Sequence, residues 1–448
     1  MRVARGANLL SACVSVAGVA LLGYLLGAAA MFFQLPPSAW LANAFAGARV
    51  WSEPEHKPLT PLIADKGARS GTPVDRPERT CDGFTLYTCS SSEHLSTQAS
   101  LINMRRDVVH QWAISFSRIW PNPEHLDFRP NDLGVGFFDC YLYPNGDLLA
   151  VLHVMNRSGC GLAKLDKDSN LLWAYPANMH HAVDVGEDGT IYALRQEIAD
   201  ELPPGLEGID TPCSIDYLVA FSPDGEPLSK PISILSALKN SPYAALLSTL
   251  HRPPRRPPQR PGSTAPHVEY AFQQERDPLH TNCVRVLRSD MAAKFPNFKA
   301  GHILVSVRTL SIIAMLDPDS GAVEWAARGA WQAQHDPQFL ENGHLLIFDN
   351  LGSPLGSRVL EYDPQTQAFP WSYSGEGRLA FYTSERGMCQ RLPNGNTFIV
   401  SSEDGEMLEV TADKEVVWSC ALDGFIMCGR RYAPEQLPFL AGDERPRP

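Results

Sequence analysis

Residues 341–350 read ENGHLLIFDN, and residues 358–373 read RVLEYDPQTQAFPWSY. The first piece is a turn ending in glycine, followed by a short apolar run. The second is another apolar run, an Asp-containing turn and a stretch closing on Trp371. Short runs rich in Val, Ile, Leu and Tyr, bounded by Asn, Asp and Gly, read as strands joined by tight turns and paired antiparallel.

The same order recurs on both sides. Pro144-Asn145-Gly146 leads into DLLAVLH and then a strand pair with Trp173. Glu187-Asp188-Gly189 leads into TIYALRQE and then YLVAFSPDGEPL. Ala300-Gly301 leads into HILVSVR and a pair with Trp325, and Pro393-Asn394-Gly395 leads into NTFIVSS and a pair with Trp418. A degenerate copy, GFTLYTCSSS followed by SLINMRRDVVHQW with Trp112, makes six. Six units spaced roughly 40–60 residues apart are the signature of radial repetition. The fold class expected is therefore all-β, a six-bladed β-propeller over residues 81–436.

The spacing breaks once, and an insertion is expected over 197–277. It holds a helical pattern, ISILSALKNSPYAALLSTL, and then the Pro/Arg-rich HRPPRRPPQRPG, an extended exposed loop. Loop 252–267 is either a surface excursion or a lid or docking point for a protein partner. Residues 35–80 read as a stalk and 437–448 as a C-terminal tail.

From Leu9 to Phe33 there is no charged residue. As a helix this run spans about 37 Å, enough to cross a bilayer. Arg2 and Arg5 precede it, which keeps the N-terminus cytoplasmic. The expectation is a single-pass anchor within residues 1–34, with the propeller on the periplasmic, lumenal or extracellular side. A signal peptide cleaved near Ala28-Ala29-Ala30 is the alternative. Of ten cysteines, Cys13 lies in this run. Cys81 with Cys89, and Cys420 with Cys428, are near enough in sequence to pair in an oxidising compartment. The net charge of -12 over 448 residues excludes non-specific nucleic-acid binding.

Aligned on the turn glycine, His181 and His335 each lie eight residues before it, ahead of Gly189 and Gly343. Phe138 and Gly387 hold that place in other copies, so the histidine is not a blade-building residue. In a propeller such equivalent positions converge on the axis. His280, Asn282 and Arg308 belong to the blade between them, and His180 precedes His181. Three histidines, an arginine and an asparagine are thus expected around one anion-holding pocket.

These pieces resemble the bacterial-type arylsulfotransferase family: Met179-His180-His181-Ala182-Val183-Asp184, Leu279-His280-Thr281-Asn282, Ser306-Val307-Arg308, Gln334-His335-Asp336 and Gln390 through Asn396. The resemblance extends over residues 81 to about 435. It implies a six-bladed propeller with its site in the central channel. It further implies sulfuryl transfer from an aryl sulfate donor to a phenolic acceptor, with no phosphoadenosine cofactor. His335 resembles the nucleophile that is transiently sulfated. His181, His280 and Arg308 resemble its proton-handling and sulfate-binding groups, joined by Asn282 and His180. Asp336 either orients an imidazole or, as the neighbouring residue, points away. Two departures stand out: Ala182 where many relatives carry Asp, and Arg386-Gly387-Met388-Cys389 where they carry small or hydroxyl residues. Thr383 or Ser384 would supply the missing hydroxyl. No metal is expected, since Arg308 would repel a cation, although three histidines also suit zinc or copper. The remaining alternative is a non-catalytic, membrane-anchored scaffold.

Overall fold

The computed structural model describes residues 73–442 apart from 92–94, 127, 155–158, 207–208, 252–275, 354–355 and 376–379. The expected anchor, most of the stalk, the Pro/Arg-rich loop and the last residues of the tail lie outside the described residues. Among the described residues no helix is long and apolar enough to cross a membrane.

Six four-stranded antiparallel sheets form the body, one per repeat. Blade 1 holds β1 (Phe84–Ser90), β2 (Gln98–Ile102) and β3 (Val108–Ala113). Blade 2 holds β4 (Val135–Leu142), β5 (Leu148–Val154), β6 (Gly159–Leu165) and β7 (Leu171–Tyr175). Blade 3 holds β8 (Met179–Val185), β9 (Ile191–Ala199), β10 (Cys213–Phe221) and β11 (Ile232–Ser233). Blade 4 holds β12 (Thr281–Val286), β13 (Ile303–Val307), β14 (Ile312–Leu316) and β15 (Val323–Arg328). Blade 5 holds β16 (His335–Phe339), β17 (Leu345–Asp349), β18 (Arg358–Tyr362) and β19 (Trp371–Tyr373). Blade 6 holds β20 (Met388–Arg391), β21 (Thr397–Ser401), β22 (Glu406–Val410) and β23 (Val416–Ala421). The last strand, β24 (Phe425–Tyr432), returns to become the inner strand of blade 1, in the order β24-β1-β2-β3. The ring is thus closed by hydrogen bonds between the two ends of the domain.

Two repeated residues explain why the pattern recurs. The turn glycines 146, 189, 301, 343 and 395 all have φ between 84° and 89°. That left-handed conformation is open to glycine and costly for other residues. The repeated tryptophans tie blades together. Trp112 donates its indole N–H to Gly146 O of the next blade, Trp173 to Pro223 O, Trp371 to Ala412 O and Trp418 to Met104 O. The last of these crosses the closure. Central strands such as β13, β14, β17 and β21 are buried at every residue, because adjacent blades cover both faces.

The chain departs from the sequence expectations at four places. Residues 74–76, assigned to the stalk, pair with the outer edge of blade 6: Val74 N donates to Ser419 Oγ, Arg76 N to Val417 O, and Ser419 N to Val74 O. The span 197–277 is not all insertion, because β10 and β11 complete the sheet of blade 3. The helical stretch is a short helix, Ile234–Lys239, followed by a 3-10 segment from Ala244. The tail is docked through Leu437 and Phe439, whose ring meets Trp112 and His110. No disulfide occurs among the described residues; Cys420 and Cys428 sit in different blades, on β23 and β24.

Candidate functional site

The inner strands do not pass the channel as regular ladders. Register shifts leave Phe138 extra in β4, His181 and Ala182 in β8, and Asn282 in β12; further shifts fall between His335 and Gln338 in β16 and around Met427 in β24. A bulge turns its extra residue out of the sheet plane, and here that direction is the axis. Five non-glycine residues around the site, His181, His280, Ala333, Asp336 and Arg386, have φ between 47° and 61°. Backbone strain of this kind concentrates at functional sites.

His335 is 4% exposed and opens β16. Its Nδ1 lies 2.8 Å from Asn350 Oδ1 and 3.1 Å from Ala333 O. Both partners only accept, so the ring proton sits on Nδ1 and the lone pair on Nε2. The backbone N–H of Arg386 donates to that Nε2 at 3.3 Å. Burial, then the Arg308 charge, hold the imidazole well below its usual pKa, against the Asn350 hydrogen bond, which works the other way. The ring is therefore neutral at physiological pH.

His181 and His280 meet edge to face, with ring centroids 4.8 Å apart. Burial, then His280, push the His181 pKa well below normal. His280 is held by Asp277, whose carboxylate takes the backbone N–H at 3.0 Å and meets Nδ1 at 2.8 Å. Burial pushes the Asp277 carboxyl up, but His280 outweighs it and the net is below the usual carboxylate range. Arg308, just past β13, donates Nη2 to Ser384 O at 3.2 Å and is partly exposed. His181, His280, Arg308 and His335 thus converge, as the repeat register implies.

A family model described as Arylsulfotransferase (ASST) matches residues 143–423, more than half of the chain. The chain belongs to the arylsulfotransferase family. No curated protein matches it. Similar solved structures include a protein of unknown function from Bacteroides caccae, at 13% identity and TM-score 0.47, covering 78% of this chain and 99% of that one. A streptogramin B lyase has 11% identity and TM-score 0.38, covering 78% and 86%. Apo AztD from Citrobacter koseri has 7% identity and TM-score 0.37, covering 78% and 99%. None of these three similarities bears on what this chain does.

Of the side chains singled out in the sequence of this arylsulfotransferase-family chain, three are placed differently from that reading, and His180 stands against His181. Thr383 is fully buried, and its hydroxyl donates to Glu385 O, so it shapes the loop and does not face the channel. Asp336 turns away from the imidazoles; it accepts from Arg285, from Gln338 Nε2 and from Cys389 N of the next blade. Asn282 gives Nδ2 to Gln334 O at 2.9 Å and leaves Oδ1 buried without a partner. His180 contacts His181 and Asp216.

Asn350, which sequence reasoning passed over, and Arg386, singled out there only within a segment that departs from the family pattern, are central. Asn350 orients His335 and gives Nδ2 to Thr383 O and Arg386 O. Arg386 lies across the channel. Its guanidinium donates to Phe138 O and Met427 O and stands 3.9 Å over the Phe138 ring. Below His335 this leaves a cavity of only ≈ 10 Å³, bordered by Asp139, His181, Asn282, Asp336 and Arg386. That is room for about one water molecule. A larger groove, ≈ 470 Å³ between the Ile234–Lys239 helix and the β14–β15 turn, holds none of these side chains. Among the described residues no group of three His, Cys, Asp or Glu is placed to hold a metal ion.

Proposed function

We propose that this chain moves a sulfuryl group from an aryl sulfate ester to a phenolic acceptor, with His335 Nε2 carrying the group between two half-reactions. The observation that carries this reading is the state of His335: neutral, with Nδ1–H locked on Asn350 and Ala333, and its lone pair on Nε2. In the first step Nε2 bonds to sulfur, the sulfur–oxygen bond to the aryl group breaks, and the departing phenolate takes a proton. In the second the acceptor oxygen bonds to sulfur, the nitrogen–sulfur bond breaks, and the acceptor's proton is taken up. Splitting the transfer this way replaces one difficult displacement by two easier ones.

The sulfuryl oxygens carry negative charge throughout. Arg308 is the fixed donor on the side reached from solvent, and a donor of this kind is worth about 3 kcal/mol. Arg386 closes the opposite side, so the donor ester approaches past His280 and Arg308. His280, backed by Asp277, is the proton donor to the leaving phenolate. No nucleotide cofactor enters the scheme. The anchor over 9–33, the exported location and a protein partner for loop 252–267 belong to the same proposal.

One observation favours a second reading, a propeller that keeps the family fold without turnover. His335 Nε2 already accepts the Arg386 N–H, and the space beneath is small. Incubation with p-nitrophenyl sulfate and phenol separates the two. Catalysis gives nitrophenol release that His335→Ala abolishes, with an acid-labile sulfuryl adduct on the His335 peptide. Absence of both in the intact chain removes the catalytic reading and leaves the scaffold.

A further inference from the structure

His180 Nδ1 and His181 Nδ1 are 2.7 Å apart, so a single proton is shared between two nitrogens. His180 is 4% exposed, and its other nitrogen, Nε2, has no hydrogen-bond partner within good geometry. Its nearest charged neighbour is Asp216 Oδ1, at 3.5 Å. Asp216 is itself fully buried on β10 and accepts from Thr281 N at 2.7 Å and from Gln196 Nε2 at 3.1 Å. Burial, then Asp277, raise the Asp216 pKa; His180 and the hydrogen bonding from Thr281 work against that rise and favour the carboxylate form.

This geometry selects one arrangement of protons. Were the shared proton on His180 Nδ1, a neutral His180 would turn a bare lone pair toward a buried carboxylate. With the proton on His181 instead, His180 Nε2–H faces Asp216 and His180 Nδ1 accepts. A neutral imidazole has one donor and one acceptor nitrogen, so His181 is left with a bare Nε2. The titratable groups around His180 and His181 are His153 from β5, Asp216 from β10, Asp277 and His280 from the segment before β12, His335 from β16, and Arg386 from the segment before β20.

We propose that the buried His180–Asp216 pair is a positioning device that fixes His181 in a single tautomer, proton on Nδ1 and lone pair on Nε2, so that His181 takes up the acceptor's proton while His280 supplies the leaving group's, the proton then returning from His181 to the adjacent His280 to restore the starting state. His180 is then not a substrate ligand. The role in proton uptake rests on the sulfuryl-transfer reading, whereas the tautomer stands without it. An Asp at position 182 is not needed, because orientation comes through His180 from Asp216 on β10, two strands away in the same sheet.

Asp216→Asn tests the device. Thr281 N still needs its acceptor at the Oδ2 place, so the new amide sets its NH2 at the Oδ1 place, toward His180 Nε2, and the Gln196 amide turns over to present its oxygen there. That donation forces the proton of His180 onto Nδ1, which donates to His181 and moves the His181 proton to Nε2. Nitrogen-15 NMR of histidine-labelled full-length protein reads this directly. In the wild type, His181 Nδ1 shows a protonated-imidazole shift and Nε2 an unprotonated one; in Asp216→Asn the two exchange. A wild-type His181 protonated on Nε2 overturns the proposal even if the variant does not fold, and so does an unchanged tautomer in a folded variant. If the wild type turns over p-nitrophenyl sulfate, the variant loses kcat about 10²–10⁴-fold with KM little changed. A wild type with the expected tautomer and no turnover leaves the device standing and removes the sulfuryl-transfer reading alone.

Discussion

Asn350 Oδ1 stands 2.8 Å from His335 Nδ1, and the same side chain gives its two amide hydrogens to Thr383 O and Arg386 O. One residue thus sets the tautomer of the proposed nucleophile and the path of the loop that faces it. Asn350→Ala is expected to lower the rate of His335 sulfation about 10²-fold, with donor KM nearly unchanged. It also leaves two buried carbonyls without that donor, a loss of about 1–3 kcal/mol. Single-turnover kinetics with p-nitrophenyl sulfate, alongside urea unfolding, measure both.

The acid side of the pH profile follows from burial. His335 and His181 lie well below their ordinary pKa, and burial takes His153 down to about 3. Sulfation of His335 therefore persists below pH 6 instead of falling through the usual histidine range. Stability moves the other way. Unfolded histidines bind protons near pH 6.5, whereas these folded ones resist until well below it, so protonation favours the unfolded chain. The stabilisation is complete above pH 6.5 and is lost as pH falls from there toward about 3. Thermal melts are expected to show a Tm that falls as pH drops from about 6.5 to 4.5, and a flat profile over that range would contradict the burial of these rings.

What the sequence disclosed here was register. The turn glycine locates His181 and His335 eight residues before it, and Arg308 seven residues after Gly301. The same offset of seven reaches His153, Gln196, Asn350 and Ser402, so Asn350 was within reach of that alignment. It was passed over because Asn after a strand reads as the start of a turn, while Arg after one is conspicuous. Arg386 stood out only as part of a segment that departs from the family pattern, with no signal that it is buried. A loop arginine reads as solvated, and its burial comes from carbonyls on β4 and β24, far away in sequence. The clasp of residues 74–76 on blade 6 joins positions 345 residues apart, and nothing local announces it. Asp336 shows the limit of neighbour reasoning: adjacent to His335, it points to Arg285 and the next blade.

Arg386 also tunes its neighbour. Its charge lowers the His335 pKa, after burial and Arg308. Arg386→Met keeps the backbone N–H that meets His335 Nε2 and removes the guanidinium. With one fewer cation opposing imidazolium, the His335 pKa rises, and the acid limb of the sulfation rate moves to higher pH. The variant also loses the hydrogen bonds that Phe138 O and Met427 O receive across the channel. Rates measured from pH 4 to 7 check the direction; an acid limb that stays in place would show that Arg386 acts only as a structural tie.

A buried ion pair reinforces the strand pairing that closes the ring. Arg431 on β24 and Glu409 on β22 have side chains 1% and 0% exposed, with Nη1 and Oε2 3.1 Å apart. Arg431 also donates to Thr85 Oγ1 and Cys81 O, and its guanidinium lies 4.8 Å from the Trp418 ring. Glu409 accepts from Cys81 N and Asn396 Nδ2. The pair therefore joins blade 6, blade 1 and the segment leading into blade 1. Removing one member of a buried pair strands the other charge, at a cost of about 3–5 kcal/mol, whereas removing both is far milder. Glu409→Gln is expected to destabilise by that amount, and Glu409→Gln with Arg431→Met to recover a large part of it. Urea unfolding of the two single variants and the double gives the coupling. Simple additivity would mean that the seam is held by the strand pairing of β24 alone.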